Sequence, residues 1–268
     1  MKRNLNIIGA GKVGRVLGRQ FHQHQVFTVQ DVLSRTSASA EAACQFIGAG
    51  RPVQDIGALR AADIVMVSVP DDQIQSCGHA LRLLDWVGPD AIVFHCSGAL
   101  GSDVLGLQQG AASVHPVRSF ADPGAVDQQF AGTICTLEGD THATQILDQA
   151  LQAIAARVVP IRRDNKTLYH AGAVFAANYL VTLLDAALQT MQAAGINAEM
   201  AAAMLQPLAQ GALENTFRLG AKQALTGPIA RGDLQTVARH EAALQNWDQD
   251  KAALYRAMGK ATRDMLDQ

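Results

Sequence analysis

The chain has 268 residues, of which 49% are hydrophobic, so it can bury a full core in one large domain or in two domains. Its 22 Lys and Arg residues nearly balance its 24 Asp and Glu residues, and no basic stripe is interleaved with aromatic residues, so we expect no nucleic-acid partner. The four cysteines are far apart and form no C-x-x-C pair, which indicates reduced thiols in a cytoplasmic protein rather than a disulfide framework.

No segment is expected to cross a membrane. The most apolar stretch, residues 171–184, contains Asn178 and Thr182 and ends before Asp185. It is therefore shorter than the roughly 20 residues that a membrane helix needs. Glycines interrupt the N-terminal apolar run from position 9 onward, so we interpret that run as mature protein rather than as a signal peptide.

Short apolar runs alternate with helical patterns up to about residue 160, which is typical of an α/β fold with a doubly wound, mostly parallel Rossmann sheet. The run over 64–69 is apolar almost throughout, so it predicts a central strand that helices cover on both faces. The predicted strands cover residues 4–8, 27–33, 52–55, 64–69, 91–95, 112–114, 134–137 and 158–161. The predicted helices between them cover residues 12–24, 37–46, 73–84 and 141–156.

The character of the chain changes after Ile161. Residues 166–193 form one long helical pattern, and further helical stretches follow, among them residues 234–246, which Asp233 would cap. We therefore expect a Rossmann domain over residues 1–161 and an all-helical domain over residues 162–268.

A dinucleotide-binding turn is predicted at the end of the first strand. Gly9, Gly11 and Gly14 form a G-x-G-x-x-G pattern between a strand and a helix. The first glycine would make the tight turn, the second would let a pyrophosphate approach the backbone, and the third would let helix and strand pack closely. Lys12 and Val13 belong to the same turn, whose helix N-terminus favours phosphate.

The end of the second strand favours NADP(H) over NAD(H). The usual spacing places Ser34, Arg35 and Thr36 where NAD-binding sites carry an acid. The Arg35 guanidinium can bind a 2′-phosphate, and no acid is there to repel it. In the alternative interpretation Asp31 is the ribose acid and Arg35 is only solvated. Val69 and Pro70, which close the fourth strand, are expected to line the cofactor groove.

Three further places carry candidate catalytic residues. Ser97 follows the fifth strand, and His115 precedes Pro116 after the next strand, both at the carboxyl edge of the sheet where ligands bind in such folds. Lys166, His170 and Asn178 share a polar stripe on the long helix, where a Lys or His could donate a proton while Asn178 orients the substrate. Each of these residues also has a structural interpretation, as a turn, a buried hydrogen-bonding group or a solvated charge.

Two other groups of residues are relevant to ligand or metal binding. Arg231 and Asp233 could clamp a carboxylate, although Asp233 could equally be a helix cap. The remaining histidines show no metal-ligand spacing on a common face, so we expect no metal site.

Taken together, these motifs resemble the β-hydroxyacid, 6-phosphogluconate dehydrogenase and pyrroline-5-carboxylate reductase-like superfamily. They are most similar to its Rossmann-like family with a C-terminal helical domain of unknown function (domain of unknown function 2520). The matching pieces are residues 7–14, 33–35, 69–72, 95–98, 115–116, 169–178 and 227–233.

The resemblance implies NADP-linked oxidation or reduction and a homodimer in which the helical domains pack together. In prephenate dehydrogenase-like relatives, a Ser after the fifth strand and a His in a His-Pro pair work at the substrate, which implies such roles for Ser97 and His115. In 3-hydroxyisobutyrate-type relatives an Asn follows the catalytic Lys by four residues, and here His170 takes that place. The Ser-Gly-Ser-Gly-Pro pattern of proline-forming reductases is absent.

Two hypotheses about function follow. In the first, the protein is an oxidoreductase that transfers a hydride between NADP(H) and a small carbonyl, imine or hydroxy-acid substrate held between the domains. In the second, it is a sensor or scaffold that binds NADP(H) and turns over nothing.

Overall fold

The computed structural model describes residues 2–267. Its N-terminal part alternates strands and helices, as the sequence predicts. The strands are β1 (Asn4–Ile8), β2 (Thr28–Leu33), β3 (Arg51–Val53), β4 (Ile64–Val67), β5 (Ile92–His95), β6 (Ala111–Pro116), β7 (Ile134–Gly139) and β8 (Arg157–Pro160). The helices are α1 (Lys12–Gln23), α2 (Ser37–Ile47), α3 (Asp71–Leu81), α4 (Pro123–Gln128) and α5 (Thr141–Ala153).

The eight strands form one sheet in the order β3-β2-β1-β4-β5-β6-β7-β8. All neighbouring pairs are parallel except β6 and β7, which are antiparallel. Every residue of β4 is buried, which confirms the predicted central strand covered on both faces. Because β1, β2, β4, β5 and β6 run in the same direction, the segments that follow them lie along one edge of the sheet. This arrangement confirms the predicted doubly wound, mostly parallel Rossmann fold.

Several element boundaries differ from the prediction. β6 extends through His115 and Pro116, which were expected to follow it, because β7 pairs with it as far as Pro116 and Cys135. α3 begins at Asp71, two residues earlier than expected. The short helix α4 was not predicted. Asp122 caps it by accepting from two backbone amides, and six residues are too few to show a helical periodicity.

The C-terminal part is helical. Its elements are α6 (Lys166–Val174), a π-helical turn (Phe175–Tyr179), α7 (Leu180–Ala193), α8 (Ala198–Leu219), α9 (Ala221–Ala224), α10 (Leu234–Trp247) and α11 (Gln249–Asp267). The long helix predicted over residues 166–193 is therefore helical throughout, but a π-turn interrupts its α-helical hydrogen bonding.

The chain divides into two compact units after Ala177, whereas the composition of the sequence indicated a boundary after Ile161. The difference has a physical reason. Lys166, near the start of α6, is buried against residues that follow β5 and belong to β6, so this helix is part of the sheet-containing unit.

The helical stretch from Arg163 to Ala193 is long and apolar enough to cross a membrane, with a mean hydropathy of 1.5. The sequence predicts no membrane span, because its apolar run over residues 171–184 is shorter than this helical stretch. Length and composition alone are weak evidence, and core helices of water-soluble proteins meet the same criterion. The buried contacts of Lys166 show that the first turn of the stretch packs against protein.

Candidate functional site

The loop after β1 has the geometry that a dinucleotide turn requires. Gly9 has a φ of +83°, and a Cβ there would lie 2.6 Å from Val69 Cγ1. A Cβ on Gly14 would collide with the Gly9 carbonyl oxygen and the Ser68 hydroxyl, so helix α1 packs closely on the turn. A Cβ on Gly11, by contrast, would meet nothing within 4 Å. The first and third glycines are thus needed by the fold, while the second leaves open space above the backbone.

Two basic side chains lie beside this loop. Lys12 donates from Nζ to the Ala121 carbonyl oxygen at 2.9 Å, and its side chain is exposed. Arg15 donates to the carbonyl oxygens of Ala10 at 3.2 Å and Gly11 at 3.3 Å, so it fixes the shape of the loop. The sequence analysis missed Arg15, although its position one turn into α1 places it within reach of the loop. Val13 is half-buried and packs against the core rather than facing solvent.

Asp31 is fully buried and already paired. Its carboxylate accepts from Arg51 at 2.9 and 3.0 Å, from the Arg60 side chain at 2.6 Å and from the Arg60 backbone amide at 2.8 Å. Burial raises the pKa of Asp31, but the hydrogen bonds from Arg60 and Arg51 outweigh it and hold the pKa below its usual value. This geometry argues against the alternative in which Asp31 binds a ribose hydroxyl.

The three residues after β2 differ in their surroundings. Ser34 is buried, and its backbone amide donates to the Val53 carbonyl oxygen at 3.2 Å. Thr36 caps α2 by accepting from the Ser39 amide at 3.2 Å. Arg35 is exposed and makes no hydrogen bond or ion pair with any residue in 2–267. Among the described residues, its guanidinium is a cation without a partner near the end of β2.

Val69 and Pro70 lie between β4 and α3 on the same edge. Val69 is half-buried beside Gly9, and Pro70 is the residue that precedes the first turn of α3. Asp71, in that first turn, accepts a hydrogen bond from the Ser97 hydroxyl at 2.7 Å. This contact is not predicted from the sequence, because Asp71 and Ser97 are 26 residues apart.

The Ser97 hydroxyl is fully used within the protein. Besides donating to Asp71, its oxygen accepts from the amides of Ala99 at 3.2 Å and Leu100 at 3.1 Å. A hydroxyl has one donor and two acceptor positions, so none is left for a ligand in this arrangement. Ser97 thus forms a turn that ties the end of β5 to α3.

His95, at the end of β5, supports this turn. Its Nδ1 accepts from the Ser97 amide at 3.1 Å, and its Nε2 donates to the Gly101 carbonyl oxygen at 3.0 Å. Burial lowers the pKa of His95 to about 4, so the ring is neutral near pH 7. His95 is therefore a structural histidine.

Lys166 is 1% exposed. Its ammonium donates to the Ser113 hydroxyl at 2.6 Å and to the Ser97 carbonyl oxygen at 3.0 Å. Burial lowers the pKa of this lysine. The predicted polar stripe does not place Lys166 at a surface where a ligand could reach it, because the side chain points into the sheet-containing unit.

His115 is held by a tyrosine that the sequence analysis did not propose as a site residue. The His115 Nδ1 lies 2.8 Å from the Tyr169 hydroxyl, and the two rings meet edge to face with centroids 5.8 Å apart. Burial, together with the nearby His170 and Lys166, lowers the pKa of His115 to about 4. His115 is therefore a neutral, oriented imidazole at the carboxyl edge of the sheet.

His170 meets His115 above Gly98. The two imidazole rings are edge to face with centroids 5.6 Å apart. A Cβ on Gly98 would lie 2.9 Å from His115 Nε2 and would collide with His170 Nδ1. The His170 Nδ1 atom is buried and has no hydrogen-bond partner among the described residues. Two ring nitrogens thus converge on one point, one of them with its hydrogen-bonding capacity unused.

The remaining candidates belong to the second compact unit. Asn178 is exposed, lies in the π-turn, and accepts from Thr182 Oγ1 through its backbone carbonyl at 3.3 Å. Asp233 caps α10 by accepting from the Thr236 amide at 3.0 Å, which favours the cap over the carboxylate clamp. Across residues 2–267, no group of three His, Cys, Asp or Glu side chains is arranged to hold a metal ion.

Comparison with solved structures shows the same fold in other proteins. Protein TM1727 from Thermotoga maritima is 25% identical, with a TM-score of 0.75 and 98% of each chain covered. The structure of a putative NADP oxidoreductase from Bacteroides fragilis is 19% identical, with a TM-score of 0.82 and 98% of each chain covered. An imine reductase from Myxococcus stipitatus in complex with NADP+ is 20% identical, with a TM-score of 0.60 and coverage of 98% of this chain and 93% of the other.

No curated protein matches the chain. Family models match both of its parts. Residues 1–116 match a Rossmann-like domain, and residues 133–262 match a domain of unknown function, DUF2520. The chain therefore combines a Rossmann-like domain with a C-terminal DUF2520 domain.

Proposed function

We propose that the protein is an NADP(H)-dependent oxidoreductase that transfers a hydride between the nicotinamide and a small carbonyl, imine or hydroxy-acid substrate. The observation that carries the proposal is the open space at Gly11 between two sterically required glycines. A turn that only linked strand to helix would not need a backbone free of contacts at that point. Solved structures with the same fold include proteins named as a putative NADP oxidoreductase and an imine reductase, which supports the oxidoreductase class.

The preference for NADP(H) rests on two charges near the end of β2. Arg35 is exposed and unpaired within residues 2–267, so it can bind a 2′-phosphate with charge-assisted hydrogen bonds. The buried Asp31 is paired with Arg51 and Arg60, so it offers no free acceptor to a ribose hydroxyl. Lys12, whose ammonium is exposed, and the amides at the start of α1 would bind the pyrophosphate.

The chemistry would take place next to Gly98. Bound NADPH would supply the hydride there. The Nε2 of His115 and the Nδ1 of His170 lie against the same point and would hydrogen-bond the reacting oxygen or nitrogen of the substrate. Ser97 and Lys166 would act as positioning residues, because all their hydrogen bonds are made within the protein.

Binding is tested by titrating the protein with NADPH and NADH and following nicotinamide fluorescence. Gly11→Ala should keep the free energy of unfolding within about 1 kcal/mol of the parent, the usual cost of a surface substitution, and weaken NADPH binding at least about tenfold. Gly88→Ala is the matched control, since a Cβ at Gly88 also meets nothing within 4 Å. Equal affinity of both variants for NADPH would contradict the assignment of the loop after β1 as the dinucleotide-binding turn.

Turnover is tested by following NADPH oxidation with pooled keto acids, aldehydes and cyclic imines. Oxidation with any of them supports the oxidoreductase. Tight NADPH binding without oxidation across the whole panel would instead favour the sensor or scaffold hypothesis, and binding of neither reduced nucleotide at millimolar concentration would refute both.

We also propose that the protein is a cytoplasmic homodimer formed through the helical domain. Large apolar side chains are exposed in the second compact unit, including Phe217 at 85%, Val181 at 68% and Leu208 at 67%. Such exposure is unusual for a monomeric surface and supports an interface. Light scattering at micromolar concentration tests this, because a monomeric mass would exclude the dimer under those conditions.

A further inference from the structure

We propose that Tyr169 is a positioning residue that fixes the tautomer of His115. Its hydroxyl donates to His115 Nδ1, which leaves the ring proton on Nε2, so that His115 presents an N–H donor to an oxygen atom of the substrate. This inference rests on the proposed function, and it narrows the substrate class by excluding imines that bind in the protonated form.

The direction of the hydrogen bond follows from the partners of the Tyr169 hydroxyl. It lies 2.8 Å from His115 Nδ1 and 3.5 Å from Thr136 Oγ1, which donates to it. A phenol is a stronger donor than an acceptor, and an unprotonated imidazole nitrogen is a good acceptor. Burial raises the pKa of Tyr169, so the hydroxyl keeps its proton near neutral pH. The short bond is therefore O–H to nitrogen.

The opposite nitrogen of His115 then carries the hydrogen. The ring is neutral near pH 7, because burial and its neighbours His170 and Lys166 lower its pKa to about 4. A neutral imidazole has one N–H, and with Nδ1 accepting, that N–H is at Nε2. His115 Nε2 is the atom that lies 2.9 Å from the Cβ position of Gly98, beside His170.

An N–H donor at this point selects the kind of atom that can bind. A carbonyl oxygen or an alkoxide has lone pairs to accept the bond, whereas the nitrogen of a protonated imine has none. In reduction, the carbonyl carbon would accept the hydride supplied by NADPH, which would be oxidised to NADP+, and the π electrons of the C=O bond would move onto the oxygen. The Nε2–H group stabilises that oxygen, and water supplies the proton that completes the hydroxyl group.

The tautomer is measured directly by long-range ¹H–¹⁵N NMR of the full-length protein at pH 7, with the His115 signals identified by their loss in His115→Gln. We expect the Nε2–H tautomer in the parent protein, with Nδ1 shifted as a hydrogen-bond acceptor. In Tyr169→Phe, Nδ1 should move to the shift of an unbonded imidazole nitrogen. An Nδ1–H tautomer in the parent protein, or an unmoved Nδ1 shift in a folded Tyr169→Phe, overturns the proposal.

The chain contains a matched control. Tyr255 and His240 form the same kind of pair, with the hydroxyl 2.9 Å from Nδ1 and ring centroids 6.0 Å apart, in the second compact unit. Tyr255→Phe should change the signals of His240 and leave those of His115 unmoved. If Tyr169→Phe does not fold, the tautomer of His115 measured in the parent protein decides whether the proposal holds.

Measurements of NADPH binding and turnover distinguish a failure of this inference from a failure of the proposed function. With a carbonyl substrate, Tyr169→Phe should lower kcat about tenfold, the effect of about 1.4 kcal/mol on the barrier, while the Kd for NADPH stays unchanged. Failure of the parent protein to bind NADPH would overturn the proposed function but not the tautomer. Faster turnover of protonated imines than of carbonyl compounds would overturn the inferred substrate class while the oxidoreductase proposal stands.

Discussion

Ser97 donates its hydroxyl hydrogen to the carboxylate of Asp71 at 2.7 Å. The bond joins the turn after β5 to the first turn of α3, and the serine oxygen also accepts two backbone amides of its own turn. A single side chain therefore connects the two segments that follow neighbouring strands of the sheet.

Removing this bond should destabilise the protein. Asp71→Ala is expected to lower the free energy of unfolding by about 1 to 2 kcal/mol more than Asp72→Ala, since a hydrogen bond to a charged group is lost. Asp72 is a suitable control, because it shares the first turn of α3 and hence the same helix-dipole effect. Urea denaturation of both variants measures the difference, and equal midpoints would show that the bond adds nothing to stability.

Arg35 should decide between the two cofactors. Arg35→Ser is expected to weaken NADPH binding about 10- to 100-fold, corresponding to about 1.5 to 3 kcal/mol for charge-assisted hydrogen bonds to a phosphate. NADH binding should change by less than about threefold. Arg3→Ser, at another exposed arginine of the same unit, is the control. Equal loss of affinity for both nucleotides would contradict the role of Arg35.

Stability should fall as the pH drops from about 6.5 to about 4. His95 is fully buried, and burial lowers its pKa to about 4, whereas the unfolded chain takes up the proton near 6.5. Between these values the unfolded state binds more protons, so it is favoured as the pH falls. A shift of this size corresponds to about 3 kcal/mol, and His115 adds a contribution of the same sign.

Urea denaturation at pH 7, 5.5 and 4.5 tests this dependence. His95→Gln keeps an N–H for the Gly101 carbonyl oxygen and cannot be protonated, so its stability should fall less steeply over the same range. A variant with the same slope as the parent would show that other groups cause the loss.

Lys166 should tolerate methionine better than alanine. Lys166→Ala leaves a cavity at a position that is 1% exposed and is expected to cost about 2 to 4 kcal/mol. Lys166→Met fills the same space without a buried charge, and the Ser113 hydroxyl still donates to the Ser97 carbonyl oxygen at 3.3 Å. The methionine variant should therefore be at least about 1 kcal/mol more stable than the alanine variant. Equal losses would mean that the ammonium hydrogen bonds, rather than packing, stabilise this position.

The sheet and the glycine turn could be predicted because their signals are local in the sequence. A strand such as β4 shows its burial as a continuous apolar run. The three glycines lie within six consecutive residues, although the contacts that require Gly9 and Gly14 include the distant residues Ser68 and Val69. β6 ends two residues later than the sequence predicts, because Pro116 pairs with Cys135 of β7 and the partner strand is not visible in the local pattern.

The side-chain partners in the site could not be predicted, because they come from distant segments. The sequence places Lys166 in a polar stripe on a helix, but its partners belong to β6 and to the turn after β5. The contact between Tyr169 and His115 spans 54 residues. The only local signal for it was the adjacency of Tyr169 and His170, which places the two side chains on neighbouring faces of α6.

The paired Asp31 limits how cofactor preference could be redesigned. Its buried carboxylate is held by two half-exposed guanidinium groups, so deleting Arg35 would remove the proposed phosphate ligand without releasing an acceptor for a ribose diol. A variant engineered to bind NADH would need a new acid installed beyond Leu33, where the chain leaves the strand, and could keep the ion pairs of Asp31 intact.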